Sequence, residues 1–215
     1  MGIQGVRSQR QLSSEKTAAI LAGAMQQFLR YGYAGSSMDR IAAAAGVSKA
    51  TVYSHFRDKE GLFAALIQQM AVEKMALMDR EHFGEGSARE LLQRILAQGV
   101  GQLEEDDEYG AFIRLIIGES GRFPQLARLF VENISKPGVD RLTQLLAAHP
   151  QVQCSDPEAT ARIVIGAVVH YKLIQDILHG RDIMPLESDR IIQALVNLIC
   201  GAPAQVWPSA GGSRS

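Results

Sequence analysis

Residues 36–63 read SSMDRIAAAAGVSKATVYSHFRDKEGLF, and this stretch carries signals for two helices separated by a glycine turn. Ser37 predicts the N-cap of a helix over Met38–Ala45, because a serine hydroxyl there accepts a hydrogen bond from an unpaired amide of the first turn. Gly46 predicts the left-handed turn that follows, since glycine adopts a positive φ without steric cost. The stretch is therefore predicted to form a helix-turn-helix.

The second helix of this unit is predicted over Lys49–Phe56, with Ser48 as its N-cap. Its first turn presents Lys49, Ala50 and Thr51 outward. Residues at helical spacing are expected to bury the other face against the first helix: Val47, Val52 and Phe56 against Ile41. In a helix-turn-helix, the second helix reads base edges in the major groove of DNA.

The three outward residues suit such base edges. Lys49 can donate to O6 and N7 of guanine, and Ala50 can contact a thymine methyl group. Thr51 offers a methyl group for thymine and a hydroxyl that serves several bases. The sequence therefore predicts direct readout by the start of the second helix.

The formal charge of -1 is unevenly distributed along the chain. Residues 1–59 hold eight Lys or Arg against three acidic residues, a balance of +5, so the remainder carries -6. A basic end on an acidic body favours phosphate binding by that end alone. The alternative is a chance fluctuation of charge in a small domain.

Residues 14–63 resemble the DNA-binding domain of the TetR family of one-component transcriptional repressors. The resemblance rests on a first helix ending at YGYAGSS, the turn IA..AGVS, the motif T.Y.HF, and KE.L at the start of the next helix. Ser36 and Ser37 depart from the threonines that the family often has, but they keep the hydroxyl that caps a helix or contacts a phosphate.

The resemblance implies which residues touch DNA. Positions matching Lys49, Ala50 and Thr51 face bases in the family, and those matching Ser37, Tyr53, His55 and Lys59 lie near the backbone. Lys59 is predicted at a helix N-terminus, where free amides favour an anion. For Tyr53 and His55 the alternatives are packing in the small core and simple solvation. The predicted DNA-binding residues are Ser37, Ser48, Lys49, Ala50, Thr51, Tyr53, His55 and Lys59.

The periodicity predicts helices throughout, so the fold class is all-α. The predicted domains are a helix-turn-helix domain at 13–58, a helical ligand-binding and dimerisation domain at 59–203, and a disordered tail at 204–215. The first twelve residues are also expected to be disordered. The predicted helices are Glu15–Tyr31, Met38–Ala45, Lys49–Phe56, Lys59–Arg80, Ala88–Leu103, Asp107–Glu119, Pro124–Ser135, Val139–Ala148, Pro157–His179 and Leu186–Cys200.

Two late helices, Pro157–His179 and Leu186–Cys200, are apolar around most of their circumference. One core does not bury all those faces, and TetR-like proteins pair through a four-helix interface. Gly166 inside a helix costs about 1 kcal/mol against alanine, which close helix approach would explain. The alternative is a central helix of a larger monomeric bundle. The predicted homodimer residues are Val168, Ile174, Leu195 and Leu198.

The resemblance also implies a ligand pocket in the carboxyl-terminal body, although the family's variability prevents transfer of its ligand residues. Polar or adaptable side chains on apolar helices are the candidates: Met70, Phe112, Arg114, His170 and Tyr171. The alternative for each is a core or interface role. The expected inducer is an apolar or amphipathic small molecule.

Other functions are less well supported. The motifs HExxH, GxSxG, GxxxxGK[ST] and GxGxxG are absent, so no enzyme is predicted. Cys154 and Cys200 have no partners at metal-ligand spacing, and no metal, cofactor or disulfide is expected. No signal peptide or membrane helix is predicted, which leaves the cytoplasm, at the bacterial nucleoid, as the expected location.

The sequence therefore favours a homodimeric repressor that binds a palindromic double-stranded DNA operator and is released by an inducer. One alternative is an architectural or activating DNA-binding protein without a ligand. A second is a cytoplasmic helical adaptor that has lost DNA binding, which the joint presence of Lys49, Tyr53 and Lys59 disfavours.

Overall fold

The computed structural model describes residues 3–78, 86–105, 107–152 and 154–201, and within these ranges the regular structure is entirely helical. The all-α prediction is confirmed. The helices are α1 Ile3–Gly35, α2 Met38–Ala44, α3 Lys49–His55, α4 Lys59–Met78, α5 Ala88–Glu105, α6 Asp107–Glu119, α7 Pro124–Phe130, α8 Lys136–Ala148, α9 Pro157–Lys172 and α10 Ser188–Cys200. Two π-helical segments, Val131–Ser135 and Leu173–Ile177, follow α7 and α9.

The first helix is longer than predicted. It begins at Ile3, so the expectation of disorder is wrong for residues 3–12. The added segment contains no proline, and extending a nucleated helix adds one hydrogen bond per residue. The sequence predicted that this helix ends at Tyr31, and the next residue, Gly32, has a non-helical φ of 70° and ψ of 170° that interrupts α1 there.

A proline explains the π-helical segment between α7 and α8. Pro137 has no amide hydrogen to donate to the carbonyl four residues earlier, and its ring crowds that carbonyl in an α-helix. The wider turn over Val131–Ser135 precedes this proline, and the amide of Lys136 donates to Val131 O. The chain therefore stays helical where a break was predicted.

Two compact units divide the chain: Met1–Arg80 with Asp106–Gly138, and Glu81–Glu105 with Val139–Ser215. The predicted functional boundary at residues 58 and 59 stays a prediction, since it concerns binding rather than packing. The predicted tail at 204–215 and the last two residues of the predicted helix Lys59–Arg80 lie outside the described residues.

The first unit packs α1, α4, α6 and α7 around an aromatic cluster. Phe63 of α4 contacts Phe28 of α1 and Phe112 of α6, with ring centroids 5.3 Å apart in each pair. Tyr33 contacts Phe123 at 4.9 Å. Aromatic pairs in these geometries add about 0.5–1.5 kcal/mol each beyond area burial. The cluster is Phe28, Tyr33, Phe63, Phe112 and Phe123.

The second unit is built on α5, α8, α9 and α10. Its core includes Leu92 and Val196, both wholly buried. The side chain of Arg89 on α5 donates to Asn197 Oδ1 at 2.7 Å and to the carbonyl of Gly201, which joins α5 to the end of α10. These contacts hold the end of α10 against the start of α5.

Candidate nucleic-acid interface

The predicted helix-turn-helix is confirmed in its local geometry. The hydroxyl of Ser37 accepts from the amide of Arg40 at 3.3 Å, and that of Ser48 accepts from the amide of Thr51 at 3.1 Å. Gly46 has φ 65°, the left-handed value that its position required. The Thr51 hydroxyl lies 2.8 Å from the Ser48 hydroxyl, so the Ser48 cap also holds a side chain of the first turn of α3.

Lys49 forms an ion pair that sequence reasoning missed. Its ammonium lies 2.7 Å from Oδ1 and 3.0 Å from Oδ2 of Asp39, in the first turn of α2. The hydrogen bond to Asp39 raises the pKa of Lys49, so the side chain stays charged. Lys49 also lies 6.0 Å from the ring centroid of Tyr53, which is 46% exposed. A cation and a ring therefore share the open surface of α3.

His55 is held by a residue of α1. Its Nδ1 lies 3.0 Å from the hydroxyl of Thr17, which lies 2.9 Å from the carbonyl of Ser13. Because the single hydroxyl proton is donated to that carbonyl, we assign the Nδ1–H as the donor to the Thr17 oxygen. In the neutral imidazole the Nε2 atom then carries a lone pair and is an acceptor, so this tautomer does not donate to a phosphate. The predicted backbone contact of His55 stays a prediction. The half-buried position also argues against simple solvation.

Lys59 has intramolecular partners. Its ammonium donates to the carbonyls of Tyr33 at 2.6 Å and Ser36 at 3.0 Å, and it lies 4.4 Å from the Tyr33 ring centroid. Burial lowers the pKa of Lys59, outweighing the opposing charge of Glu119. An ammonium has three donors, so one remains for DNA. The predicted phosphate contact stays a prediction beside this structural role.

A second basic group lies near the start of α2. The guanidinium carbons of Arg30 and Arg40 lie 5.3 Å and 5.1 Å from the ring centroid of Tyr31. Arg40 also donates to the carbonyl of Gly35 at 3.1 Å. The position of Arg40 in the first turn of the helix that Ser37 caps was the signal in the sequence from which this group could have been predicted.

Two family models match the chain. Residues 20–66 match the model described as bacterial regulatory proteins, tetR family. Residues 90–202, more than half of the chain, match the AefR-like transcriptional repressor, C-terminal domain. The chain belongs to the TetR family. The proteins of this family are DNA-binding transcriptional regulators and not enzymes.

Relatives of known structure cover both halves of this TetR-family chain. The flavonoid-responsive regulator FrrA is 32% identical, with a TM-score of 0.69, over 86% of this chain and 95% of that one. A putative TetR-family regulator from Mesorhizobium loti is 29% identical, with a TM-score of 0.66 and the same coverage.

The curated relatives match a shorter part of the chain. RutR of Escherichia coli K12 is 31% identical over 117 residues, 54% of this chain and 47% of RutR. The chain spans about half the length of the first curated relatives that it matches.

The five predicted ligand residues divide between the two units of this TetR-family fold, with Met70, Phe112 and Arg114 in the first unit and His170 and Tyr171 in the second. Met70 and Phe112 are buried in the core of the first unit, with Phe112 stacked on Phe63. Tyr171 is buried in the core of the second unit. Arg114 and His170 are exposed. Ligand contact by any of them stays a prediction, and the packing of Phe112 gives it a core role in any case.

The predicted dimer residues divide by exposure. Leu198 is 79% exposed, whereas Leu195 is 4% exposed and belongs to the core of its own unit. Val168 and Ile174 are half-buried. Helix α9 exposes two residues that the prediction omitted, Ile163 at 67% and Val169 at 54%. Interior and outward positions of a helix apolar on most sides are hard to separate by periodicity.

Among the described residues, none of the helices combines the length and apolar character needed to span a membrane. Cys154 and Cys200 are both free thiols. Within the same ranges, no group of three or more His, Cys, Asp or Glu is arranged to hold a metal ion.

Proposed function

We propose that this regulator binds a palindromic operator as a homodimer and is released by an apolar or amphipathic small molecule. The exposed Lys49, beside Ala50 and the capped Thr51, supports readout of the major groove by α3. Two such helices on a twofold dimer would read half-sites about 34–36 Å apart. We place this activity in the cytoplasm, at the bacterial nucleoid.

The surface of α9 and α10 supports the dimer. Ile163, Val169 and Leu198 are large apolar side chains that are more than half exposed in the protomer. A Cβ atom added at Gly166 would meet nothing within 4 Å, so packing within the protomer does not require this glycine. An exposed apolar surface beside an unexplained helical glycine suits a partner helix of a second copy.

One contact carries the proposal of ligand-controlled binding. Glu119, the last residue of α6, accepts a hydrogen bond from the amide of Tyr33 at 3.0 Å, where α1 breaks before the reading helices. A ligand that prefers another position of α6 or α4 would therefore disturb the base of the helix-turn-helix. A coupling of about 1–3 kcal/mol would weaken operator binding about 5- to 150-fold. FrrA is named flavonoid-responsive, which suggests flavonoids as first probes.

The test begins with selection of bound sequences from a random duplex library. Flavonoids and other amphipathic compounds are then screened for a rise in melting temperature, because a compound that binds the folded state stabilises it. An inducer should also lower affinity for the selected operator.

Glu119→Gln is the matched variant, since it keeps the size of the side chain and weakens the acceptor. It should retain the thermal shift and show a smaller loss of operator affinity on ligand binding. If stabilising compounds leave operator binding unchanged in the wild type, release by these ligands is rejected. A broad panel without any effect would favour the architectural or activating function.

A further inference from the structure

The ion pair between Asp39 and Lys49 joins the starts of two helices. Asp39 lies in the first turn of α2 and Lys49 is the first residue of α3. Both carboxylate oxygens lie within 3.0 Å of the ammonium. The side chains are 65% and 60% exposed, so the pair lies at the surface rather than in the core of the motif.

This pair has little importance for stability. Exposed ion pairs contribute little to folding, because water screens the charges and two side chains lose rotational freedom. An acidic residue beside a DNA-reading lysine also repels phosphates, which weakens binding to every sequence. We therefore expect Asp39 to affect which DNA sequence the protein prefers.

The geometry restricts what Lys49 can do. A free lysine samples many rotamers, whereas this ammonium is held against α2 with part of its donor capacity used. Its remaining donors can still reach guanine O6 or N7. Because the carboxylate is in direct contact with the ammonium, any base edge that Lys49 reaches also lies close to Asp39.

We propose that Asp39 determines operator specificity together with Lys49. Asp39 orients the ammonium toward a guanine and accepts from the N4 amino group of a cytosine beside it, in the same or the adjacent base pair. Base edges that present only hydrogen-bond acceptors to the Asp39 carboxylate are disfavoured at this position. This inference rests on the proposed operator binding.

The test uses the full-length protein and the operator selected by the wild type from a random duplex library. Affinities are measured for that operator, for its single base-pair variants and for random duplex DNA. Lys49→Ala should reduce preference for the guanine by about 5- to 150-fold. Asp39→Asn should tighten binding to random DNA, and it should reduce preference at the guanine and at the neighbouring cytosine.

The double variant decides whether Asp39 acts through Lys49. Preference at the guanine should be no lower in Asp39→Asn/Lys49→Ala than in Lys49→Ala alone, because the two residues serve one contact. Glu60→Gln is the charge control: Glu60 is exposed in the first turn of α4 and has the same charge as Asp39. Glu60→Gln should change the affinity for operator DNA and the affinity for random DNA by similar factors.

If Asp39→Asn also changes the affinity for all DNA sequences by one common factor, Asp39 acts only through its charge and the inference fails. If the wild type selects no sequence at all, the proposed operator binding fails and the inference fails with it. Melting curves of each variant exclude loss of fold as the cause.

Discussion

The side chains of Lys172 and Asp176 form an ion pair of 2.7 Å that is almost shielded from solvent, with exposures of 8% and 18%. Arg181 adds two hydrogen bonds to Asp176 Oδ1, at 2.9 Å and 2.6 Å. Burial alone would raise the pKa of Asp176, but hydrogen bonds from Lys172 and Arg181 outweigh it and the pKa is lowered. The pair ties the end of α9 to the π-helical segment after it.

Asp176→Asn should lower the free energy of unfolding by about 3–5 kcal/mol. The variant leaves the buried ammonium of Lys172 without its counter-charge, which costs more than loss of the pair itself. Urea denaturation followed by circular dichroism measures the change.

Glu158→Gln is the control for this prediction, because Glu158 and Arg162 form a 2.7 Å pair at the same spacing on the same helix, with exposures of 61% and 66%. Its cost should be about 0.5 kcal/mol or less. The double change Lys172→Met/Asp176→Leu should recover much of the stability. Equal costs for Glu158→Gln and Asp176→Asn would show that burial does not matter here.

The stability conferred by Asp176 should depend on acid pH. Because the folded pKa is lowered, the folded protein binds fewer protons than the unfolded chain between the folded pKa and about 3.9. The stabilisation is present above that upper value and is lost as pH falls through the folded pKa. The difference in unfolding free energy between wild type and Asp176→Asn should therefore shrink at acid pH, which parallel urea titrations measure.

Gly32→Ala should destabilise the first unit by about 1–3 kcal/mol. The φ and ψ of 70° and 170° lie in a region that is essentially restricted to glycine. A Cβ atom would also lie 2.8 Å from Glu119 Oε1 and disturb its bond to Tyr33. Thermal unfolding measures the loss.

Gly35→Ala serves as the neighbouring control. An added Cβ there would make an ordinary 3.4 Å contact with the Cβ of Tyr31. This variant should be neutral or stabilising by up to about 1 kcal/mol, because alanine loses less entropy on folding. Similar losses at both glycines would contradict the special backbone requirement at Gly32.

Leu198→Asp should produce a folded monomer. Leu198 is 79% exposed in the protomer, so the aspartate costs about 0.5 kcal/mol or less there, but it would bury a charge in the proposed interface. Sedimentation velocity should show the monomer, and operator affinity should fall because the second half-site is lost.

Leu195→Asp should instead lose its fold, because Leu195 is 4% exposed within its own protomer. Circular dichroism separates the two outcomes. A dimer that survives Leu198→Asp, Val169→Asp and Ile163→Asp singly would place the interface elsewhere.

Lys59→Ala should affect both fold and DNA binding. Removing the ammonium leaves the carbonyls of Tyr33 and Ser36 without their donor, at a cost of about 1–3 kcal/mol. If the third donor contacts a phosphate, the salt dependence of binding should fall by about one unit per reading motif, on operator and random DNA alike. If Lys59→Ala reduces stability but leaves the salt dependence of DNA binding unchanged, the role of Lys59 is purely structural.

The parts of the site that the sequence predicted are those with local causes. Ser37 and Ser48 cap helices that begin at the next residue, and Gly46 turns the chain directly after α2. In each case the signal and the structure lie within a few residues of each other, so one sequence was sufficient.

The parts that escaped prediction depend on contacts distant in sequence. Asp39 lies ten residues before its partner Lys49, and Thr17 lies 38 residues before His55. Leu195 and Leu198 are both leucines on one amphipathic helix, and only packing against α5 decides which is buried. Periodicity identifies apolar helices but does not decide which apolar face meets which neighbour.

The aromatic cluster of the first unit has a consequence for engineering chimeric regulators. Phe63 lies on α4 and contacts Phe112, and Tyr33 contacts Phe123. Both partners, Phe112 and Phe123, lie after position 106 in the chain. A graft that transfers only residues up to the end of α4 would place Phe63 and Tyr33 against foreign side chains. A recombinant protein with a new operator preference should therefore inherit α6 and α7 together with the donor's reading helices.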